Sequence, residues 1–527
     1  MRRLLLAAVL IAVPLALRDA SAGEQATTRI FDGPKVTKTA AKMTPLDKMI
    51  QSAQRRAGVT RARPCSDAVF VRRVYIDVIG TLPAPDEVRA FLDDRGDDRR
   101  VRLIEALMKR DEFSDYWSLK WCDVLRVKSE FPINLWPNAV QAYHRWVREA
   151  VRQNLPYDVF ARDLLTSSGS NFREPAVNFY RATGGRDPDG LANAVALTFM
   201  GSRIDQWPED VREGMSGFFA RVRFKRTREW KEEVVYSDPA PFGPAPGLLP
   251  DETQIRIPAD GDPRRLFADW LITDENPWFA RVAVNRVWAW LFGRGLVHEP
   301  DDFRSDNPAA LPKVLDYLAE QLVASGWDLR HVMRLILTSD TYQQSAIPRD
   351  SAPEAATLFA YYPVRRLDAE VLIDALCWIG GTGSSYSSRI PEPYTFVPEE
   401  DRTIALSDGS ITSPFLELFG RPARDTGLAS ERSNDPTADQ RLYLLNSTEV
   451  RRRIDQSPRL RRIYTATTRD LQELVRRVYL TLLSRFPTDG EAEIARAYFV
   501  QGGRNRRAAA QDLAWALINT KEFLYRH

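Results

Sequence analysis

Along most of this 527-residue chain, apolar residues recur at the spacing of a helix face, and this periodicity limits the fold more than any other feature. Trp117, Trp121 and Leu125 recur every four residues, which places them on one side of a helix. Proline and glycine stand where helices begin and end: Pro45 opens one predicted helix and Gly58 ends it. The pattern predicts a mainly α, multi-helix protein.

The helical pattern is interrupted near the middle of the chain. Val234 to Tyr236 and Ile255 to Ile257 have the composition of short strands, and a proline-rich loop lies between them. We therefore predict two helical domains with a small β-containing segment at their junction. The predicted boundaries are residues 43–236 for the first domain, 237–262 for the Pro-rich linker and 263–527 for the second domain.

The first 22 residues have the pattern of a cleavable secretory signal peptide. Arg2 and Arg3 precede an apolar run from Leu4 to Leu17, and Ala20-Ser21-Ala22 supplies the small residues of a cleavage site before Gly23. The run is shorter than the roughly 20 residues that cross a bilayer. We expect an exported protein, periplasmic or extracellular, with no transmembrane anchor after cleavage. Residues 23–42 are predicted to be a flexible lead.

The charge balance argues against nucleic acid as a partner. The chain has 74 Lys and Arg against 71 Asp and Glu, so no general positive potential would attract phosphate backbones. Local basic clusters such as residues 451–453 are typical of the solvated face of a helix. Other exported proteins or carbohydrate are the partners that exposed tryptophan and arginine side chains would suit.

Familiar catalytic and cofactor motifs are missing from the sequence. It contains no HExxH, CxxC, CxxCH, GxSxG, Walker or dinucleotide-binding pattern, so we predict no cofactor and no metal, and leave open whether it is an enzyme. Loop carboxylates such as Asp187, Asp189 and Asp301 would suit calcium, but they lack EF-hand spacing and fit helix capping better.

Three cysteines are present, so at least one thiol is free. Cys122 and Cys377 lie in apolar helical contexts and are predicted to be buried and inert. A disulfide between Cys65 and Cys122 has no support from spacing and stays open.

One helical unit is echoed near each end of the chain. Phe70 to Tyr75 (FVRRVY) is nearly repeated as Leu474 to Tyr479 (LVRRVY), and Leu103 to Phe113 pairs with Leu513 to Phe523. One interpretation is that both units dock the same kind of partner. The other is duplication for packing, with valine, tyrosine and phenylalanine in the core and the arginine pair on the surface.

Several long motifs resemble a known family. FVRRVYIDVIGTLPAPDEVRAFL and DEFSDYWSLKWCDVLR resemble the planctomycete cytochrome-c-associated domain of unknown function. NPWFARVAVNRVWAWLFGRGLV, SGWDLRHVMRLILTSDTYQQS and RRLDAEVLIDAL resemble its usual companion, a planctomycete-specific domain of unknown function. The resemblance implies an exported, mainly helical protein and no known activity.

The chain departs from this family in one segment. Relatives carry a CxxCH-like sequence between an apolar helix and a GLAAFFARV-like stretch, whereas residues 199–211 here contain neither cysteine nor histidine. No cytochrome-c module is present either. Electron transfer is therefore disfavoured, and Trp207 cannot replace thiolate or imidazole ligands.

Two functions remain as hypotheses. The favoured one is a non-catalytic binding or scaffold protein of the cell envelope, and the alternative is an extracytoplasmic hydrolase acting on polysaccharide or a related polymer. Unusual polar and aromatic residues in the second domain mark the candidate binding surface, for which we expect Asn285, Arg286, Trp288, Glu431, Arg432 and Asn434.

Overall fold

The computed structural model describes residues 30–33, 43–239, 243–398, 401–467, 470–501 and 505–527. The predicted signal peptide and most of the predicted flexible lead lie outside these residues. Within them the chain is mainly helical, as the periodicity predicted. None of the described helices is both long enough and apolar enough to cross a bilayer.

α-Helices make up most of the described chain from residue 43 to residue 217. Ser66 begins one of them by accepting a hydrogen bond from the Val69 N–H (3.3 Å), and Thr44 does the same for the first. The start of the first helix, at Pro45 directly after Thr44, is the one that the sequence predicted. The helices are α1 (Pro45–Arg56), α2 (Asp67–Ile79), α3 (Pro85–Asp93), α4 (Arg99–Leu107), α5 (Asp111–Val124), α6 (Pro137–Gln153), α7 (Tyr157–Thr166), α8 (Asn178–Arg181), α9 (Pro188–Val195) and α10 (Glu209–Gly217).

Two small antiparallel sheets occupy the junction. The first has the order β1-β3-β2, from β1 (Gly169–Ser170), β2 (Val222–Arg226) and β3 (Glu233–Ser237). The second is the hairpin of β4 (Ala245–Leu248) and β5 (Gln254–Ile257). Both predicted strands are confirmed, within β3 and β5. The predicted linker holds the hairpin, which packs so closely on α10 that a Cβ at Gly214 would lie 2.4 Å from Leu248 Cβ.

The second half is again helical, apart from one two-residue strand pair. β6 (Arg365–Arg366) pairs antiparallel with β7 (Tyr525–Arg526), which joins the last described residues to the middle of this half. The helices are α11 (Pro263–Leu271), α12 (Phe279–Phe292), α13 (Pro312–Ala324), α14 (Leu329–Leu337), α15 (Pro353–Thr357), α16 (Ala369–Gly380), α17 (Pro414–Leu418), α18 (Ala438–Asn446), α19 (Thr448–Gln456), α20 (Pro458–Ala466), α21 (Leu471–Leu483), α22 (Asp489–Gln501), α23 (Arg506–Ile518) and α24 (Lys521–Leu524).

One hydrophobic core runs through both halves of the chain, from Leu46 to Phe523. At its centre the indoles of Trp117 and Trp121 on α5 lie 5.8 and 5.2 Å from that of Trp290 on α12, measured between ring centroids. The helix face predicted from the spacing of the first two tryptophans is therefore buried against the second half.

The echoed helices α2 and α21 differ in where they place their arginine pair. Their valines and tyrosines are buried in both copies, as the packing interpretation expected. Arg72 and Arg73 of α2 are buried as well, which corrects the expectation of a surface pair, whereas Arg476 of α21 is exposed. Arg72 donates to the carbonyls of Leu482 and Phe523, so this arginine links the first copy to the second copy.

All three cysteines are unpaired. Cys65 and Cys122 are buried and Cys377 is half-buried. Burial raises the pKa of the Cys122 thiol to about 12 and that of Cys377 to about 11, so both stay protonated at neutral pH.

Candidate functional site

A cleft of about 660 Å³ opens among segments that are far apart in the sequence. It lies between α5, the end of α12 with the loop that follows, the β6–β7 pair, and residues 427–436. Its volume is in the range that holds a small molecule or a short oligomer. Charged side chains from each of these segments line it, and we treat it as the candidate site.

Positive charge dominates the lining of the cleft. Four carboxylates line it, and two of them, Glu299 and Asp435, are exposed to solvent. Because charges interact strongly where water is excluded, a surplus of cations favours an anionic occupant. The lining cations are Lys120, Arg286, Arg294, Arg365, Arg366, Arg432 and Arg526.

Asp368, just before α16, is the centre of one buried charge cluster. Its Oδ2 accepts hydrogen bonds from Lys120 Nζ (2.6 Å), Tyr116 Oη (2.9 Å) and Arg526 Nη2 (2.9 Å), and its Oδ1 accepts from Asn434 Nδ2 (2.9 Å). Burial opposes its ionisation, but Arg526 and Lys120 outweigh burial and hold the pKa of Asp368 well below its ordinary value. Burial lowers the pKa of Lys120 to about 8, against the opposing effect of Asp368.

Arg432 is the centre of a second cluster, about one turn further along the same face of α5. Its guanidinium bridges Asp123 of α5 (Nη2–Oδ2, 2.7 Å) and Glu370 of α16 (Nη1–Oε2, 2.7 Å). Arg424 completes the arrangement by donating from Nε to the other oxygen of Asp123 (2.9 Å). Burial opposes the ionisation of Glu370, but Arg432 outweighs it, so the pKa of Glu370 falls to about 2. The guanidinium of Arg432 is thus held in one orientation.

The β6–β7 pair brings two more arginines to the cleft. Strand register places Arg365 opposite Arg526, and both reach Asp77 of α2 (3.3 and 3.5 Å to Oδ1). Tyr342 and Tyr362 donate to the other oxygen of Asp77 (2.9 and 2.8 Å). The carboxylate of Asp77 therefore anchors both strands of the β6–β7 pair.

Several buried donors in the cleft have no hydrogen-bond partner among the described residues. They are Nε of Arg286, Nε of Arg294, Nη1 of Arg365, Nε of Arg366 and Nε of Arg526. Within the part of the chain that the structure describes, Arg294 also has no carboxylate within ion-pair distance. Buried guanidinium groups of native proteins are nearly always hydrogen-bonded, so the guanidinium of Arg294 is the one in the cleft that is best able to pair with an anionic ligand.

Three of the six residues expected from the sequence line this cleft: Arg286, Arg432 and Asn434. Arg286 lies at the base of the cleft and pairs with Asp301 (Nη2–Oδ1, 3.0 Å). Asn434 joins the cluster around Asp368.

The other three expected residues have structural contacts instead. Asn285 is fully buried and exchanges two hydrogen bonds with the backbone of Val297, which fixes the turn after α12. Trp288 is also fully buried, with its ring stacked on Phe292 at 4.4 Å. Glu431 does not line the cleft: its Oε1 accepts hydrogen bonds from the N–H groups of Asp425 and Thr426 (3.1 and 2.7 Å) and so shapes the loop that carries Arg432. Asn285 and Trp288 are therefore buried and do not contribute to a binding surface.

Sequence reasoning missed Lys120, Asp368, Arg365 and Arg526. The available signal was weak: Lys120 is a charged residue that lies between Trp117 and Trp121. Asp368 and Arg365 lie in the short segment RRLDAE, and Arg526 belongs to the closing LYRH. Nothing in these short segments indicates that they meet in space.

The loop carboxylates serve the fold. Asp187 caps α9 by accepting from the Gly190 N–H (2.8 Å), as helix capping predicted, and Asp301 pairs with Arg286. Among the described residues, no group of three or more His, Cys, Asp or Glu side chains is arranged to hold a metal ion.

Two family profiles match the chain in succession. Residues 45–211 match PSCyt2, a protein of unknown function (DUF1549), and residues 263–499 match PSD1, a protein of unknown function (DUF1553). No curated protein and no solved structure was found to be similar to the chain.

Proposed function

The chain belongs to the PSCyt2 and PSD1 domain families, and from the geometry of its cleft we propose that it is a non-catalytic binding protein for anionic ligands. The observation that carries this proposal is that two arginines lining the cleft, Arg294 and Arg366, have no carboxylate within ion-pair distance among the described residues. A buried cation without a counter-charge is unfavourable. An anion bound in the cleft would supply that partner.

The kind of cation also supports anion binding. Six of the seven lining cations are arginines, whose planar guanidinium can donate two parallel hydrogen bonds to a carboxylate, sulfate or phosphate. Arg432 is held by two carboxylates and Arg365 by Asp77, so neither has to be ordered when a ligand arrives. Preorganised donors of this kind raise affinity because binding costs less conformational entropy.

Binding is better supported than hydrolysis. A glycoside hydrolase needs one carboxylic acid whose pKa is raised, so that it is protonated when it meets the substrate. In this cleft the pKa of Asp368 is instead lowered, and the carboxylate already accepts four hydrogen bonds. Asp123 is likewise paired with Arg424 and Arg432. These carboxylates orient cations.

The proposal includes export to the cell envelope. It draws on the basic, apolar and small-residue segments of residues 1–22. Mass spectrometry of the protein recovered from the native host's envelope should give a mature chain that starts at Gly23. A chain that kept Met1 and stayed in the cytoplasm would contradict this part of the proposal.

The cleft is tested by calorimetric titration of the mature chain with three probes of different anionic groups: a galacturonate trimer, a sulfated disaccharide and inositol hexakisphosphate. We expect at least one probe to bind, with an affinity that falls as salt is added. The variant carrying Arg294→Gln and Arg365→Gln should weaken that binding by about ten-fold or more, since each change removes a charge-assisted hydrogen bond.

The matched control is Arg441→Gln, because Arg441 is exposed on α18 and does not line the cleft. This control should bind like the unaltered chain. If none of the probes binds, or if the double variant and the control bind equally well, the cleft does not recognise anions and the proposal fails.

A further inference from the structure

A second feature lies outside the cleft: three aromatic side chains meet at the surface. Trp136 lies between the two others, with its ring centroid 6.3 Å from that of Trp230 and 6.1 Å from that of Tyr394. Trp230 is 63% exposed and Tyr394 is 54% exposed. We call these three residues the aromatic corner, because the planes of the two indoles are inclined by 82°.

Each ring of the aromatic corner is carried by an anchored loop. Trp136 ends a turn in which the Ser129 N–H donates to Asp408 Oδ1 (3.0 Å). Trp230 lies in the turn between β2 and β3, which Asn171 fixes through the carbonyl of Lys231 (3.3 Å). The rings are therefore exposed although the backbone beneath them is held in place.

Glu130 joins two of these loops. Its Oε1 accepts from the Arg389 N–H (2.8 Å), which connects the Trp136 turn to the loop that carries Tyr394. In that loop the Tyr394 N–H donates to the Pro391 carbonyl (3.0 Å).

The backbone at Trp136 adopts a conformation that bulky residues rarely take. Its φ and ψ of 75° and 146° lie in a region populated almost only by glycine, at a cost of about 1–3 kcal/mol. Lys231, beside Trp230, also has a positive φ of 61°. Strain of this kind persists where the surrounding structure imposes it, and it clusters at ligand-binding sites.

One cation borders both indoles of the aromatic corner. Lys231 Nζ lies 4.4 Å from the ring centroid of Trp136 and 5.4 Å from that of Trp230. Arg389 on the neighbouring loop is 94% exposed and lies 4.0 Å from Glu130 (Nε to Oε2), so its charge is partly compensated. A ligand that suits this surface therefore has an apolar face for the rings and an acidic group for the ammonium.

We propose that the aromatic corner is a carbohydrate-binding site that takes a sugar ring bearing a carboxylate, as in a polyuronate. A pyranose presents a flat face of C–H groups, which packs on an indole, and a rim of hydroxyl groups that remains hydrated. A carboxylate on that rim would pair with Lys231. A protein partner would need a wider apolar contact than three rings interrupted by charges supply.

The site is tested with a galacturonate hexamer and its neutral methyl ester, titrated into the mature chain. To exclude the cleft, the titrations are repeated in the Arg294→Gln, Arg365→Gln background. There the further double change Trp230→Ala and Tyr394→Ala should weaken hexamer binding by about ten-fold or more. Both side chains are exposed, so circular dichroism should show an unchanged fold.

Two further variants complete the design. Lys231→Gln should weaken binding of the acidic hexamer and leave binding of the methyl ester unchanged. Phe486→Ala, which removes an exposed ring elsewhere on the surface, is the matched control and should change neither. Equal binding by Phe486→Ala and the Trp230, Tyr394 variant would overturn the proposal.

The two proposals can fail separately. If hexamer binding disappears when only the cleft arginines are changed, the aromatic corner does not bind it and only the cleft proposal stands. If hexamer binding depends on Trp230 and Tyr394 while the cleft changes affect no probe, the reverse is true.

Discussion

At the scale of single residues, this protein is marked by arginine side chains that are buried rather than exposed. Their guanidinium groups mostly satisfy backbone carbonyls and carboxylates from distant segments, as Arg73 does for the carbonyls of Gln344 (2.9 Å) and His527 (2.8 Å). The rigid fork of five donors makes arginine suited to this task. The fully buried ones are Arg72, Arg73, Arg264, Arg286, Arg424 and Arg526.

A buried histidine makes the stability of the fold depend on pH. Burial, with Arg424 and Arg148 adding to it, lowers the pKa of His144 on α6 to about 3 from an ordinary 6.5. Between these values the unfolded chain binds a proton that the folded chain excludes, so the free energy of unfolding falls as pH decreases from about 6.5. His144→Gln should remove up to about 1.4 kcal/mol per pH unit of this slope.

Urea denaturation at pH 7, 6, 5 and 4 measures the slope for both chains. Carboxylates with lowered pKa contribute in the same direction, so the informative quantity is the difference between the variant and the unaltered chain. His331→Gln serves as the control, because the ring of His331 is only half-buried. Parallel pH profiles for the unaltered chain and His144→Gln would contradict the expected titration.

At the scale of secondary-structure elements, the sequence predicted what local interactions determine. The starts of α1 and α2 follow from capping residues, and β3 and β5 follow from runs of β-branched residues. The strand β4 was not predicted, since Ala245 to Leu248 contains proline and glycine and no alternating pattern. It forms because β5 pairs with it and α10 packs against it. A short stretch of sequence cannot reveal these contacts.

The echoed helices provide a matched pair of substitutions at this scale. Arg72→Ala should lower the free energy of unfolding by about 2–4 kcal/mol, because the carbonyls of Leu482 and Phe523 lose their donor in the core. The corresponding change in the other copy, Arg476→Ala, should stay within about 0.5 kcal/mol, since that side chain is exposed. Chemical denaturation of both variants tests the difference, and equal losses would contradict the assigned packing.

At the scale of the whole molecule, the cleft could be anticipated only in part. Arg286, Arg432 and Asn434 stood out because each is polar within or beside a motif of unusual composition. Lys120 and Asp368 are 248 residues apart and meet only after both halves have packed. The site depends on this long-range packing, which periodicity and capping do not encode.

The division into two domains remains a hypothesis from the sequence, and the packing between the two halves allows it to be tested. The halves share the tryptophan cluster of α5 and α12, the ion pair of Lys120 with Asp368, and the bond from Arg72 to Leu482. Residues 43–236 and 263–527 produced separately would each leave one side of these contacts exposed. We expect neither half to unfold cooperatively, whereas the full chain should show a single transition.

Cleavage of the linker tests whether the two halves stay associated when the covalent connection between them is removed. Gly243 is exposed, and a Cβ there would meet nothing within 4 Å, so a protease site placed beside it should leave the fold intact. After cleavage the two pieces should elute together on size exclusion and keep the anion affinity of the cleft, because Lys120 comes from one piece and Arg365 from the other. Pieces that separate while each retains its own unfolding transition would show two independent domains, and the cleft would then be an interface that opens when the domains part.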